Sequence, residues 1–424
     1  MSTAARAAAA APGATLRHYQ VRIAAASLVG MIVSVSPILF SSFPVLLQPV
    51  SAEFGWGRGA MSYALMAAMV TATILYPFMG RMLDRFGSRA ILLPGFGMFG
   101  LSVVGLSLMN GSQPLMLALY ALAGATSTMA SGVAIARAVS RVFFGKRGLM
   151  LGICLGAGGG IGGAAMPLVT RLLIDQAGWR GAYVGLGLLP IAIGIPTVYF
   201  LLREPPVKSA DPVFEPFGLS ARESMRSPRL WLLLVSIFLT CGVIAGVQAH
   251  FVAIAGDRGI GATGAAAMLS VGAIATMAGQ LSIGLALDKV RSPWIVRAVY
   301  AAILGGVALI HLSSSGPVLL TGIALIGLAA GSEYGLLPYY LTRLFGIRSF
   351  GTLYGCVYAS AAIANGVGPV IMGTTFDSLG SYDSAFVAFE AAVAASVAAM
   401  FAIRAFVYRP DGAGIEEGLK PGAG

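Results

Sequence analysis

Long apolar runs separated by short charged stretches are the dominant pattern along this chain. Runs of about 20 apolar residues, the length a helix needs to cross a bilayer, can be placed twelve times. They lie at 22–49, 59–80, 90–109, 114–139, 148–172 and 181–202, and again at 229–253, 263–286, 293–312, 317–341, 350–374 and 383–407. Backbone groups find no partner in lipid, so only helices and closed barrels span it, and these runs lack the two-residue alternation of barrel strands. The pattern predicts an all-α membrane protein with twelve transmembrane helices. The polar stretch 203–228 mixes Arg203, Lys208, Arg222 and Arg226 with Glu204, Asp211, Glu215 and Glu223, and is rich in proline at its start. It reads as a solvent-exposed linker between two six-helix bundles, 22–202 and 229–407. Short tails at 1–21 and 408–424 complete the chain, the second rich in glycine and charge and expected to be disordered.

Polar landmarks recur in the two halves. Residues 80–89 read GRMLDRFGSR, with Arg81, Arg85 and Arg89 around Asp84, and Gly80 and Gly87 free to make tight turns. Between two apolar runs, this stretch is expected to be a short water-facing turn. The second half answers with Gly284, Asp288, Lys289 and Arg291 after its own second run. Arg141 to Gly148 lead into the fifth run and Arg343 to Ser349 into the eleventh, and Pro167 corresponds to Pro369. Matched landmarks imply internal duplication and hence pseudo-symmetric halves. A site between two such halves, exposed to one side at a time by rocking, is how an alternating-access transporter works.

Composition sharpens this picture. Hydrophobic residues make up 57% and charged residues 10% of the chain, against about 25% charged in soluble domains. The net charge of +11 would suggest nucleic acid if it were spread over one soluble surface. Of the 27 Lys and Arg, only Arg58, Arg171, Arg180 and Arg258 fall on one side, and Arg137 lies inside a run. The remainder crowd the tails and the loops of the opposite side, which is the positive-inside bias. Both termini are therefore expected in the cytoplasm, in a multi-pass protein of the cell inner membrane that does not bind nucleic acid. Arg17 and Arg22 flank the first run, which reads as an uncleaved signal anchor. Cys154, Cys241 and Cys356 all sit in apolar runs as small packing residues. Three scattered histidines make no metal cluster, and no nucleophile–base constellation or nucleotide motif is present, so neither an enzyme nor a cofactor is expected.

The stretch at 80–89 resembles the signature between the second and third helices of the major facilitator superfamily, G-x-L-x-D-R-x-G-x-R, with Met82 in place of Leu. Further stretches resemble its monocarboxylate-porter branch, which includes the oxalate:formate antiporter. Glu53-Phe-Gly-Trp-Gly-Arg58 is similar to E-F-G-W-S-R, and residues 142–152 are similar to Y-F-x-K-R-R-x-L-A-x-G, with Val142, Gly145 and Met150 departing from it. Gly178-Trp179-Arg180 and the segment 377–382 also match. The resemblance implies the major facilitator fold, a central cavity lined by the first, fourth, seventh and tenth helices, and a small organic acid as cargo. One departure matters. The branch binds carboxylates with basic residues in its first, eighth or eleventh helix, and here those runs hold none beyond Arg22 at the edge.

Three ionisable residues are expected within the membrane, away from the charged edges of the runs: Arg137, Glu333 and Glu390, the last near the start of its run. A charge at mid-bilayer costs about 2.5–3.5 kcal/mol on insertion scales, so such residues usually face a cavity. Arg137, with Thr126 and Val133 on its face at helical spacing, could clamp a carboxylate with its planar fork or snorkel to the cytoplasmic surface beside Arg141. Glu333 lies ten residues before Arg343, roughly 15 Å from that end, too deep for its short side chain to reach water. It is either the proton-coupling group or a structural carboxyl bonded to a neighbouring helix. Tyr354, Tyr358 and Asn365 form a stripe on the eleventh run, Tyr334, Tyr339 and Tyr340 lie on the tenth, and Phe40 sits between Pro37 and Pro44 on the first. Apolar walls with a few polar tips suit a small-molecule pocket, though such stripes also pack cores. His250 reads as a satisfied interface residue, and the glycine cluster 156–163 as a close helix crossing rather than a phosphate loop.

These residues lead to a secondary transporter for a small monocarboxylate or aromatic carboxylate, coupled to proton symport and working as a monomer in the lipid bilayer. Arg137, Tyr334, Tyr354, Tyr358, Asn365 and Phe40 are the expected substrate contacts and Glu333 the proton site. Gly80, Asp84, Arg85, Gly87, Arg89 and Asp288 are the expected conformational gates. Anion exchange and drug or metabolite efflux are the alternatives.

Overall fold

A computed structural model describes residues 12–143, 150–202, 218–289, 294–346 and 348–402. Among them, structure is helical throughout apart from a single bridge between Gly218 and Gly346. The first half comprises α1 (Pro12–Ile32), α2 (Phe43–Phe54), α3 (Arg58–Phe86), α4 (Ser88–Gly105), α5 (Gln113–Ser127), α6 (Gly132–Val142), α7 (Gly158–Leu189) and α8 (Ile195–Leu201). After the short α9 (Ala221–Arg226) come α10 (Pro228–Asp257), α11 (Ala262–Lys289), α12 (Trp294–Leu312), α13 (Gly316–Phe345), α14 (Phe350–Leu379) and α15 (Asp383–Ala402). Ten stretches of the described residues are long and apolar enough to cross a membrane, and Arg297–Leu312 is a shorter apolar helix. The longest stretch, Gly152–Leu201, is broken at Gly178, whose φ of 67° and ψ of 179° are open to glycine alone, so it makes two passes.

The chain divides into two compact units, Met1–Ser42 with Ile74–Ala210, and Phe43–Thr73 with Asp211–Gly424. In the first unit the glycine cluster brings α7 against α1: a Cβ on Gly158 would lie 2.6 Å from the Leu28 carbonyl, and one on Gly162 2.5 Å from that of Ile32. Such approach replaces the hydrophobic effect as the source of helix cohesion in lipid. Tyr120 and Tyr183, both fully buried, share a 2.7 Å hydroxyl contact. The second unit uses the same device. Gly242 of α10 meets Gly368 of α14, and Gly279 of α11 meets α13 beside Gly327 and Gly331.

Three expectations need correction. Residues 80–89 are not a turn: α3 runs through Gly80 to Phe86, and only Gly87, with φ of 82°, breaks the backbone. The exposed Arg81 and Arg85 let the helix outlast its apolar stretch. The fourth span is not one helix. The Met129 and Ala130 amides donate to the Thr126 and Ser127 carbonyls in i→i+3 bonds, and the hydroxyls of Ser127 and Thr128 donate to Gly124 and Ala125 carbonyls at 2.7 Å. Helical register is lost between α5 and α6, so the spacing argument joining Thr126 to Arg137 lapses. Thr126 instead meets Ser102 at 2.8 Å. The first span is interrupted as well, by a π-helical turn at Ser36–Ser41 opening on Pro37, which has no amide hydrogen. The linker also ends in structure. Ser220 and Glu223 form a reciprocal capping box on α9, and Leu219 donates to the Phe345 carbonyl at 2.9 Å. The Ser220 amide and hydroxyl both donate to the Glu223 carboxylate, each at 2.8 Å, and hold it below the usual range. The tail 408–424 lies outside the described residues.

Candidate functional site

Glu333 sits in the apolar middle of α13 and is 4% exposed. A buried carboxyl must be bonded, and it is: the Thr240 hydroxyl of α10 lies 2.6 Å from Oε1, and the Tyr300 hydroxyl of α12 makes a second bond. Sequence reasoning missed both partners. Thr and Tyr are common in membrane helices, and nothing in one helix's periodicity tells which neighbour it will meet.

Beside this carboxyl lies an open recess of about 410 Å³ empty volume, lined by Cys241, Ile244, Ala330, Glu333, Val357, Tyr358, Ala361 and Asn365. Helices α10, α13 and α14 thus bring together three of the expected residues, Glu333, Tyr358 and Asn365. Tyr354 joins them through a 3.3 Å bond to the Tyr358 hydroxyl, one turn away. Apolar walls with one carboxyl, one amide and one phenol can orient a small polar molecule.

The other expected residues fall elsewhere. Arg137 is half-buried on α6 and Phe40 half-buried in the π turn, both in the first unit. The side chains of Tyr334, Asp84 and Asp288 lie outside the described residues. Arg85 is exposed, with its guanidinium 5.3 Å from the Phe86 ring. Arg89 donates to the Tyr199 carbonyl at 3.0 Å, and Arg22 to the Phe200 carbonyl, so two cations serve the free carbonyls ending α8. Glu390 accepts a bond from His311 Nδ1 at 2.9 Å.

A second polar cluster occupies the same unit. Arg58, at the start of α3, forks onto Asp257 at 2.7 and 2.9 Å and donates to the Tyr382 hydroxyl at 2.7 Å. Its guanidinium covers the Phe376 ring at 3.7 Å. Asp377 accepts from the Arg58 and Gly59 amides, both at 2.8 Å, capping α3 from α14. His250 is fully buried, with Nδ1 3.1 Å from the Tyr382 hydroxyl and Nε2 3.0 Å from both the Pro369 carbonyl and Ser62 Oγ. A carbonyl can only accept, so Nε2 carries the hydrogen and Tyr382 donates to Nδ1. His250 is therefore satisfied as expected. Its partners Tyr382 and Ser62 went unnoticed, since they lie far away in sequence. Tyr382 lies outside the spans, and burial pushes its phenol up from the usual range. Among the described residues no group of three His, Cys, Asp or Glu could hold a metal.

Comparison with known proteins identifies the family. The sequence pattern of the Major Facilitator Superfamily matches residues 25–356. The chain is 28% identical over 350 residues to human monocarboxylate transporter 11, covering 78% of this chain and 72% of the relative. It is 26% identical to rat monocarboxylate transporter 12, over 58% of each chain. A solved structure of the nucleoside transporter NupG superposes with a TM-score of 0.72 at 10% identity, covering 91% of this chain and 99% of that one, a likeness of fold. The chain belongs to the Major Facilitator Superfamily. It is a multi-pass membrane transporter related to the monocarboxylate transporters, and not an enzyme.

Proposed function

We propose that this superfamily member carries a small monocarboxylate or aromatic carboxylate across the cell inner membrane by alternating access, together with a proton. The observation that supports it most is Glu333, buried beside a recess that also holds Asn365 and Tyr358. A protonated Glu333 leaves the recess neutral and open to an anion, whereas an ionised one repels it. Protonation and anion binding then favour each other, and linkage makes the effect reciprocal. Kinship with monocarboxylate transporters 11 and 12 supports the substrate class. In this reading Arg137 provides a positive charge for the substrate anion, the tails and linker lie in the cytoplasm, and the monomer is the working unit.

Counterflow of labelled acids in proteoliposomes tests the substrate class. A panel of monocarboxylates and aromatic carboxylates should show saturable exchange, and exchange of nucleosides or cationic drugs alone would overturn the reading. Glu333→Gln copies the protonated carboxyl and cannot release the proton. It should exchange labelled for unlabelled acid yet lose uphill uptake driven by a pH gradient. Parent-like accumulation in that variant would remove Glu333 from the proton path. If the parent protein itself only exchanges one acid for another, anion exchange is the mode.

A further inference from the structure

The Thr240 hydroxyl carries one hydrogen and stands within bonding distance of more acceptors than that hydrogen can serve. Its Oγ1 lies 2.9 Å from the Ser236 carbonyl, 3.3 Å from the Ile237 carbonyl and 2.6 Å from Glu333 Oε1. Serine and threonine inside helices normally spend their hydrogen on the carbonyl three or four residues back. When Thr240 does so, the short contact to Glu333 needs its hydrogen from the carboxyl, and Glu333 is the acid. When Glu333 is the carboxylate it offers no hydrogen, so Thr240 must turn its own away from the helix towards Oε1.

We propose that Thr240 is a positioning residue for proton coupling: its hydroxyl rotates between the α10 backbone and Glu333, so that both charge states of the carboxyl are fully bonded. The proposal rests on the reading of Glu333 as the proton site. The other groups facing that carboxyl complete the cluster. Tyr300 of α12 bonds both Glu333 and Thr240, its single hydrogen serving one of them at a time while its oxygen accepts. Cys241 of α10 and Tyr358 and Asn365 of α14 line the recess. Tyr340 lies on α13 itself, near Tyr300. α11 brings Gly272, Thr276 and Gly279 to its contact with α13, none of them titratable. An orphaned buried polar group is expensive to leave, so a site that must gain and lose a proton in the bilayer needs a partner able to act as donor and acceptor in turn. A hydroxyl does this by rotation, with no helix displaced. The rotation also reports the proton's presence to α10, the helix that lines the recess through Cys241 and Ile244.

Infrared difference spectra of the full-length protein in lipid, stepped from acid to alkaline pH, test the proposal together with acid exchange over the same range. The parent should show a carboxylic C=O band that titrates and that Glu333→Gln abolishes. Thr240→Val keeps the side-chain shape and removes the hydroxyl. Its acid form loses an acceptor, so the band should move to higher wavenumber, and the midpoints of band and exchange should be displaced by about one pH unit. Thr240→Ser should restore both to parent values. A parent without any band sensitive to Glu333→Gln would overturn the reading of Glu333 itself. A parent-like band and midpoint in Thr240→Val, or failure of Thr240→Ser to restore them, would overturn the role of Thr240 alone.

Discussion

Helix α10 carries two polar clusters with opposite design. Around Thr240 the groups are a carboxyl and two hydroxyls, buried among apolar helices. About 25 Å further along the helix, Asp257 meets Arg58 in a forked ion pair, with side chains 15% and 38% exposed. A charge pair at a membrane helix end keeps part of its hydration, so ionisation there is cheap and the pair can be permanent. Deep in the bilayer a permanent charge is expensive, and a group that changes charge must have partners that serve both forms. The half-exposed cluster holds elements together, whereas in the proposed reading the buried one lets a proton come and go.

A crossed test probes this contrast most strongly. Glu333→Gln should abolish pH-driven accumulation while leaving the thermal midpoint in detergent close to the parent's. Arg58→Ala should do the reverse, lowering stability by about 2 kcal/mol through the lost charged hydrogen bonds and the uncovered Phe376 ring, while the pH profile of exchange keeps its midpoint. Arg58→Lys should recover only part of that stability, because a point charge cannot span both Asp257 oxygens. If both variants moved both readouts equally, the two clusters would be one coupled unit.

Next in size is Asp377→Asn. Asparagine offers one acceptor oxygen where the carboxylate uses two, so either the Arg58 or the Gly59 amide loses its cap. A cost of about 1 kcal/mol in thermal or denaturant unfolding is expected, again with transport coupling unaltered.

For Arg137 the expected effect is on affinity. Arg137→Ala should weaken acid binding about tenfold or more, and Arg137→Lys by less, since charge survives without the fork. Equal binding by Arg137→Ala and the parent, measured by equilibrium dialysis, would leave snorkelling as its role.

The smallest effect concerns the fully solvated end of this scale. The Glu223 carboxyl is held low by bonds from Ser220, so its contribution is present at neutral pH and is lost as pH falls through its lowered folded value. Hydrogen exchange at the start of α9 should therefore quicken in acid. Ser220→Ala should remove that acid dependence, leaving α9 frayed at every pH.

Much of the architecture could be read from the chain alone. Apolar runs bounded by charge placed the spans, because lipid forces each segment to close its own backbone bonds, a purely local requirement. Glu333 and Asn365 stood out for the same reason, as polar residues where apolar ones cost less. Motifs located the family but misjudged local geometry. Residues 80–89 carry turn-like glycines, yet helical bonding continues through Gly80 because nothing at that position requires a positive φ. The breaks in the first and fourth spans came from Pro37 and from hydroxyls competing for backbone carbonyls, effects that hydropathy does not register.

What the sequence determined by itself was therefore the set of helices, their membrane character and the isolated buried acid, each following from the solvent a segment must face. The tertiary structure decided everything that needs two segments: that Thr240 and Tyr300 meet Glu333, that Asp377 caps a helix 319 residues away, and that His250 is shared by Ser62, Tyr382 and Pro369. The physical reason lies in how helices associate in lipid. Hydropathy is equal on every face that another helix might cover, so partner choice rests on glycine contacts such as Gly242 against Gly368 and on single hydrogen bonds. Both are visible only once the helices are side by side.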